Sequence, residues 1–175
     1  MADILYDTAA IDTALDTMTA TIREQVSAGE PITIIGILRG GARVADALQQ
    51  RLNEAGCTTE RGDLDISFYR DDLDTIGPHP EVRSSRLPFD INGRHIWLVD
   101  DVLYTGRTIR AALGELFDYG RPASIRLAVL LDRGGRELPI GAEITGLSYE
   151  APAGISVKLC SDNSHWHIEQ RRVQR

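Results

Sequence analysis

The sequence predicts an α/β protein built on an open, largely parallel sheet, and three observations predict it. Ile32 to Ile37 is an apolar, mostly β-branched run that ends in a glycine-rich turn and leads into helical spacing at Val44, Ala45, Leu48 and Leu52. Ile96 to Val99 repeats the arrangement, with Asp100 and Asp101 after it and Ile109, Ala112, Leu113, Leu116 and Phe117 on one face of the helix that follows. A third strand spans Ser124 to Leu131, so strands and helices alternate as parallel crossovers require.

Each element has a local reason. Ile11, Leu15, Met18, Ile22 and Val26 space a first amphipathic helix, ended by Gly29 and Pro31. The strand Ile32–Ile37 closes in Gly36-Ile37-Leu38-Arg39-Gly40-Gly41, and the second helix stops near Gly56. Leu64 to Tyr69 alternates as a strand and runs into Arg70-Asp71-Asp72. From Leu73 to Asn92, Gly77, Pro78, Pro80 and Pro88 suppress periodicity, and a loop this long inside a compact domain is functional or disordered. Beyond Leu131 come the turn Asp132-Arg133-Gly134-Gly135-Arg136 and short closing strands at Tyr149, Ile155 to Leu159 and His165 to Ile168. Ligands of such sheets lie at the carboxyl ends of the strands, and the loops singled out here leave those ends.

Composition narrows the partners. A chain of 175 residues is read as one domain, 1–175. The net charge of −7 argues against a strongly electrostatic nucleic-acid binder, though a local basic patch is compatible with it. Cys57 and Cys160 have no metal-ligand spacing and no CxxC partner, so two free thiols in a reducing compartment are expected. Met1 to Asp7 lacks a basic stretch followed by an apolar one, and no apolar run reaches membrane length; a cytoplasmic location is the expectation.

The chemistry concentrates in Val99-Asp100-Asp101-Val102-Leu103-Tyr104-Thr105-Gly106-Arg107-Thr108. The free N–H groups of a helix's first turn, with the helix dipole behind them, favour a phosphate. Thr105 and Thr108 add hydroxyl donors, and Gly106 allows close backbone approach. Two carboxylates beside that anion site accept hydrogen bonds from sugar hydroxyls or help hold a divalent cation. Phosphate at one pole and hydroxyls at the other describe a ribose 5-phosphate. In the earlier turn, Arg39 with Gly40 and Gly41 suits a second anion such as pyrophosphate.

The whole run resembles the phosphoribosyl pyrophosphate (PRPP) signature of type I phosphoribosyltransferases, and in this form it resembles the pyrimidine-operon attenuation regulators (PyrR), which are also uracil phosphoribosyltransferases. Phe68 to Leu73 and Gly120 to Ile140 are similar to the same family. The resemblance implies a type I phosphoribosyltransferase fold with a small hood and a flexible loop at about 70–92. It implies Asp100 and Asp101 as catalytic acids on the ribose, Leu103, Tyr104, Thr105, Gly106, Arg107 and Thr108 as the 5′-phosphate loop, and Arg39, Gly40, Gly41 and Arg70 at the pyrophosphate. Arg83 and Arg86 are further candidates for the diphosphate, carried by a mobile cover. Asp132 and Arg133 would line the base pocket. The implied reactants are PRPP and uracil, with UMP as product or effector. Mg²⁺ would be held largely through PRPP, with Asp100 and Asp101 as the protein's own donors.

A homodimer or homotetramer is the implied assembly. Leu38-Arg39-Gly40-Gly41 leans instead toward purine and xanthine phosphoribosyltransferases, so a purine base stays open. Members of the family also bind pyrimidine-operon mRNA through a basic face formed by the first helix and the region after Asp132-Arg133-Gly134. Here that helix carries Asp12 and Asp16, and after the turn Arg136 survives while Gly141 and Leu147 stand where basic residues commonly occur in those members. RNA attenuation is therefore not expected, while a non-catalytic RNA regulator remains the rival from another class. His79, His95, His165 and His167 are assigned no catalytic part.

Overall fold

A computed structural model describes residues 3–67, 85–162 and 165–173. The chain runs β1 (Asp3–Tyr6), α1 (Thr8–Glu24), β2 (Ile32–Ile37), α2 (Gly40–Glu54), β3 (Thr59–Leu64), β4 (His95–Leu103), α3 (Arg107–Tyr119), β5 (Ser124–Asp132), β6 (Ile144–Ser148), β7 (Ile155–Asp162) and β8 (His165–Arg172). Five strands form a sheet in the order β3-β2-β4-β5-β6, every pair parallel. A second sheet, β1-β8-β7, is antiparallel.

Period-two alternation divides the core between the two faces of the parallel sheet. Ile32, Ile34, Trp97, Val99, Ala128 and Leu130 pack with α1, α2 and the antiparallel sheet. Ile35, Ile37, Ile96, Leu98, Leu127 and Val129 pack with Ile109, Ala112 and Leu116 of α3. β2 is buried at all six positions, as a central strand covered on both faces should be. Gly36 brings α2 down onto β2: a Cβ there would stand 2.6 Å from the Ala42 Cα.

Three expectations are corrected, and one strand was not expected. α1 ends at Glu24 rather than running on toward Gly29, with the Gln25 N–H donating to the Ile22 carbonyl at 3.2 Å and the Val26 N–H to the Arg23 carbonyl at 3.4 Å. The strand placed at Leu64–Tyr69 lies earlier, at Thr59–Leu64, because those polar residues pair along the whole of β2. The strand read near Tyr149 is Ile144–Ser148. β1 carried no signal: it is four residues long, Ile4 is exposed, and its partner β8 is at the far end of the chain. Of the long loop, residues 68–84 lie outside the described residues. From Ser85 onward it is packed, with Arg86 exchanging backbone hydrogen bonds with Asp63 at 2.8 Å each. Among the described residues no helix is long and apolar enough to cross a membrane.

Candidate functional site

Asp100 and Asp101 lie inside β4, not beyond it. Val102 and Leu103 continue the strand because β5 runs equally far, pairing Val102 with Leu131 and Leu103 with Asp132. Asp100 is buried and Asp101 half-buried. Each holds the next backbone N–H: Asp101 N donates to Asp100 Oδ1 and Val102 N to Asp101 Oδ1, both at 2.9 Å. The carboxylates are thereby fixed rather than free to swing.

The glycine start of α2 closes directly on these acids. A Cβ on Gly40 would stand 2.0 Å from Asp101 Oδ2, and one on Gly41 would stand 2.5 Å from the Val99 carbonyl and 2.9 Å from the Asp100 Cα. Only glycine fits at either position. Arg39 is the N-cap residue of α2, offers no side-chain cap, and follows a cis peptide bond from Leu38.

Past β4 the chain turns through Tyr104, Thr105 and Gly106 into α3. Gly106 takes φ +91°, a left-handed conformation that disfavours a side chain, and a Cβ there would press on Leu138 and Ile140 at 3.3 Å. The first helical bond runs from Arg110 N to Gly106 O at 2.9 Å. Arg107 N is met by Thr105 Oγ1 at 3.2 Å, and Gly106 supplies no side-chain cap. The N–H groups of Thr108 and Ile109 precede the helical ladder, which is where an anion binds a helix.

The 132–140 segment wraps this loop from outside. Arg133 N donates to Leu103 O at 3.1 Å, and Glu137 N and Leu138 N both donate to Thr105 O at 3.0 Å. Arg107 Nε meets Glu137 Oε2 at 2.6 Å. Arg136 joins three carriers at once: Tyr104 O at 2.8 Å, Ile140 O at 2.9 Å, and the Asp132 carboxylate. Asp132 Oδ1 also accepts from Gly134 N at 3.0 Å. Arg133 is buried at 8% exposure, with its guanidinium 3.9 Å from the centre of the Tyr104 ring. Its Nε is the sole buried side-chain polar atom without a hydrogen bond among the described residues. An orphaned buried donor of this kind is suited to a ligand acceptor.

The structure thus brings Arg39, Gly40, Gly41, Asp100, Asp101, the 103–108 loop, Asp132 and Arg133 to the carboxyl edge of the parallel sheet. Arg70 and Arg83 lie outside the described residues. Sequence reasoning missed the bracing part of Arg136, which it had counted as a surface cation. Its signal was the spacing of Arg136 from Asp132, an i,i+4 ion pair. A cavity of about 390 Å³ sits at the opposite, amino end of β2 and β4, and its cations are engaged: Arg94 by Glu60, and Arg126 by Gln25 and the Trp97 ring.

A strand that delivers two fixed acids between a glycine turn and an uncapped helix start defines a sugar-phosphate-binding class of α/β domain, and a family model agrees: the phosphoribosyl transferase domain matches residues 1–158. The chain is 49% identical over 144 residues to the bifunctional protein PyrR of Akkermansia muciniphila, covering 82% of this chain and 81% of that one. It is 56% identical over 125 residues to the bifunctional protein PyrR of Pseudomonas putida, covering 71% of each. In structure it is similar to a hypoxanthine-guanine phosphoribosyltransferase of Bacillus anthracis, with a TM-score of 0.67 and 20% identity over 87% of this chain and 85% of that one. That last likeness speaks to fold alone. The chain belongs to the phosphoribosyltransferase family and, within it, to the PyrR proteins.

Proposed function

We propose that this protein transfers ribose 5-phosphate from PRPP to uracil, forming UMP and pyrophosphate. The observation that carries the reading is the closure of Gly40 and Gly41 onto Asp100 and Asp101, with the uncapped start of α3 at the exit of the same strand. In this reading the 5′-phosphate sits on the N–H groups of the 103–108 loop and α3, and the ribose hydroxyls face the two acids. The diphosphate lies against Arg39, Gly40 and Gly41, with Arg70 as a further partner. The uracil nitrogen forms a bond to C1 of the sugar, the C1–oxygen bond breaks, pyrophosphate leaves with the electron pair, and the base proton passes to solvent. Positive charge develops on the sugar as the bond breaks, so fixed carboxylates are most useful in the transition state. The Arg133 Nε–H and nearby backbone groups complement the carbonyl acceptors of the base.

Mg²⁺ fits this site as a passenger of the diphosphate. Its donors here are hard carboxylate oxygens, and Asp101 is the more accessible of the two. When bound, the ion would neutralise charge on the leaving pyrophosphate, and Asp100 and Asp101 would be its protein neighbours. His95 bonds Ser124 at the far end of the sheet and His167 lies on β8, so neither supplies a base here.

The second activity implied by the resemblance, binding of pyrimidine-operon mRNA, finds less support. Asp12 and Asp16 of α1 are exposed and draw Arg51 onto them at 2.9 Å each. Arg136 spends its donors on Tyr104, Ile140 and Asp132, leaving it poorly placed to neutralise a phosphate.

Pyrophosphate release tests the reading, with PRPP and Mg²⁺ and, separately, uracil, hypoxanthine, guanine, xanthine and orotate. Release with uracil is expected. Release with a purine alone would overturn the base assignment, and silence with every base in a PRPP-binding protein would overturn the enzyme.

A further inference from the structure

The antiparallel sheet carries chemistry that the transfer reaction does not use. β7 and β8 place Cys160 opposite His167 and Lys158 opposite Glu169. Alternation sends Val157 and Ile168 into the core and sets Cys160, His167 and Glu169 together on the other face. One ligand atom from each of these three side chains lies within 4.8 Å of the other two.

The carboxylate is unusual for an outer face, since Glu169 is only 7% exposed. Arg171 Nε donates to its Oε1 at 2.8 Å, and its Oε2 stands 3.9 Å from His167 Nε2. That separation is too long for a hydrogen bond. It is a few tenths of an ångström longer than the N···O spacing of two ligands on one tetrahedral ion, roughly 3.3–3.5 Å for zinc bonds of ordinary length. A carboxylate with one oxygen held by an outer donor and the other facing an imidazole is oriented as metal-binding carboxylates are.

We infer that Cys160, His167 and Glu169 bind a borderline-soft divalent cation of the Zn²⁺ class, at a site separate from Asp100 and Asp101. Thiolate, imidazole and carboxylate are the donor set of Zn²⁺ or Co²⁺ and a poor one for Mg²⁺. Three protein ligands leave a fourth position for water. On binding, the Cys160 thiol loses its proton to solvent, His167 binds neutral, and Glu169 is already ionised, so two anionic ligands balance the dication. Burial and the neighbouring Glu169 hold the Cys160 thiol above its ordinary range, while Arg171 and Lys158 pull the other way. The bound ion would tie β7 to β8 across their outer face.

Titration of the full-length protein with Co²⁺ tests this, read by the thiolate-to-cobalt charge-transfer band, with Zn²⁺ then added as competitor. One Co²⁺ per chain is expected, with a band that survives Cys57→Ser, vanishes in Cys160→Ser and is abolished by Zn²⁺. His167→Gln should bind more than about tenfold more weakly, beyond the lower end of what loss of an outer partner costs. Zn²⁺ should raise the Tm of the wild type but not of Cys160→Ser. Absence of the band in the wild type, its persistence in Cys160→Ser, or unchanged affinity in His167→Gln would each overturn the site. Should Cys160→Ser fail to fold, judged by circular dichroism, the His167→Gln affinity decides.

Discussion

The carboxyl edge of the parallel sheet and the outer face of the β1-β8-β7 sheet are both polar surfaces, held in opposite ways. At the edge, polar groups are fixed by backbone: glycines press on the acids, carboxylates take adjacent N–H groups, and loop carbonyls receive the 132–140 segment. On the outer face, side chains are fixed by one another, through cross-strand pairing and the Arg171–Glu169 ion pair. Backbone-held groups are preorganised for one geometry. Side-chain-held groups can close by the fraction of an ångström that a bound ion demands.

The largest effect that would sharpen this contrast is in Asp101→Asn, which removes the charge and keeps the shape. Turnover should fall about 100- to 1,000-fold with the fold intact by circular dichroism. Full activity would remove Asp101 from the chemistry. Next comes Gly40→Ala. Its Cβ cannot coexist with Asp101 Oδ2, so the loop or the acid must shift, and kcat/KM should drop about 100-fold. Gly36→Ala lies one layer deeper and does not touch the acids. It should cost about 1–3 kcal/mol in denaturant unfolding, with activity per folded molecule retained, because its Cβ meets the Ala42 Cα of α2.

Smaller effects belong to the other surface. The Cys160 thiol is raised by burial and by Glu169, so at alkaline pH the unfolded chain ionises its thiol first and stability falls. Stability should decline less above the ordinary thiol range in Cys160→Ser than in the wild type, measured without metal. Burial raises the Glu169 carboxyl, but the hydrogen bond and charge of Arg171 outweigh it and hold the group below its ordinary value. That contribution is present above the ordinary carboxyl range and is lost as pH falls through the lowered value. Acid titration of Arg171→Gln against the wild type should show it. Smallest of all, Asp12→Ala removes an exposed ion pair with Arg51 and should change stability by less than about 1 kcal/mol in denaturant unfolding.

What was legible follows the same division. The acids, the 103–108 loop and the glycine turn are each local in sequence, so each could be singled out before any fold is known. The parallel strands were legible because burial on both faces writes continuous apolar runs such as Ile32–Ile37. β3 was misplaced because an edge strand with residues such as Glu60, Arg61 and Asp63 carries no apolar run, and only pairing with β2 makes it a strand. β1 depends on a partner more than 160 residues away. The Cys160, His167 and Glu169 cluster was hidden for the same reason: a hairpin register brings it together, whereas Cys160 stands alone in spacing. Arg136 was read by its charge, and its three partners are visible only when 104, 132 and 140 are adjacent.

The bracing of the 103–108 loop by the 132–140 segment also bears on the order of binding. Leu103, Tyr104 and Thr105 give their carbonyls to Arg133, Arg136, Glu137 and Leu138, so the loop proposed to hold the phosphate and the turn proposed to line the base share bonds. A ligand that stiffens one half stiffens the other, and the second ligand then meets less disorder to overcome. The two affinities should rise together by one common factor, whichever ligand comes first.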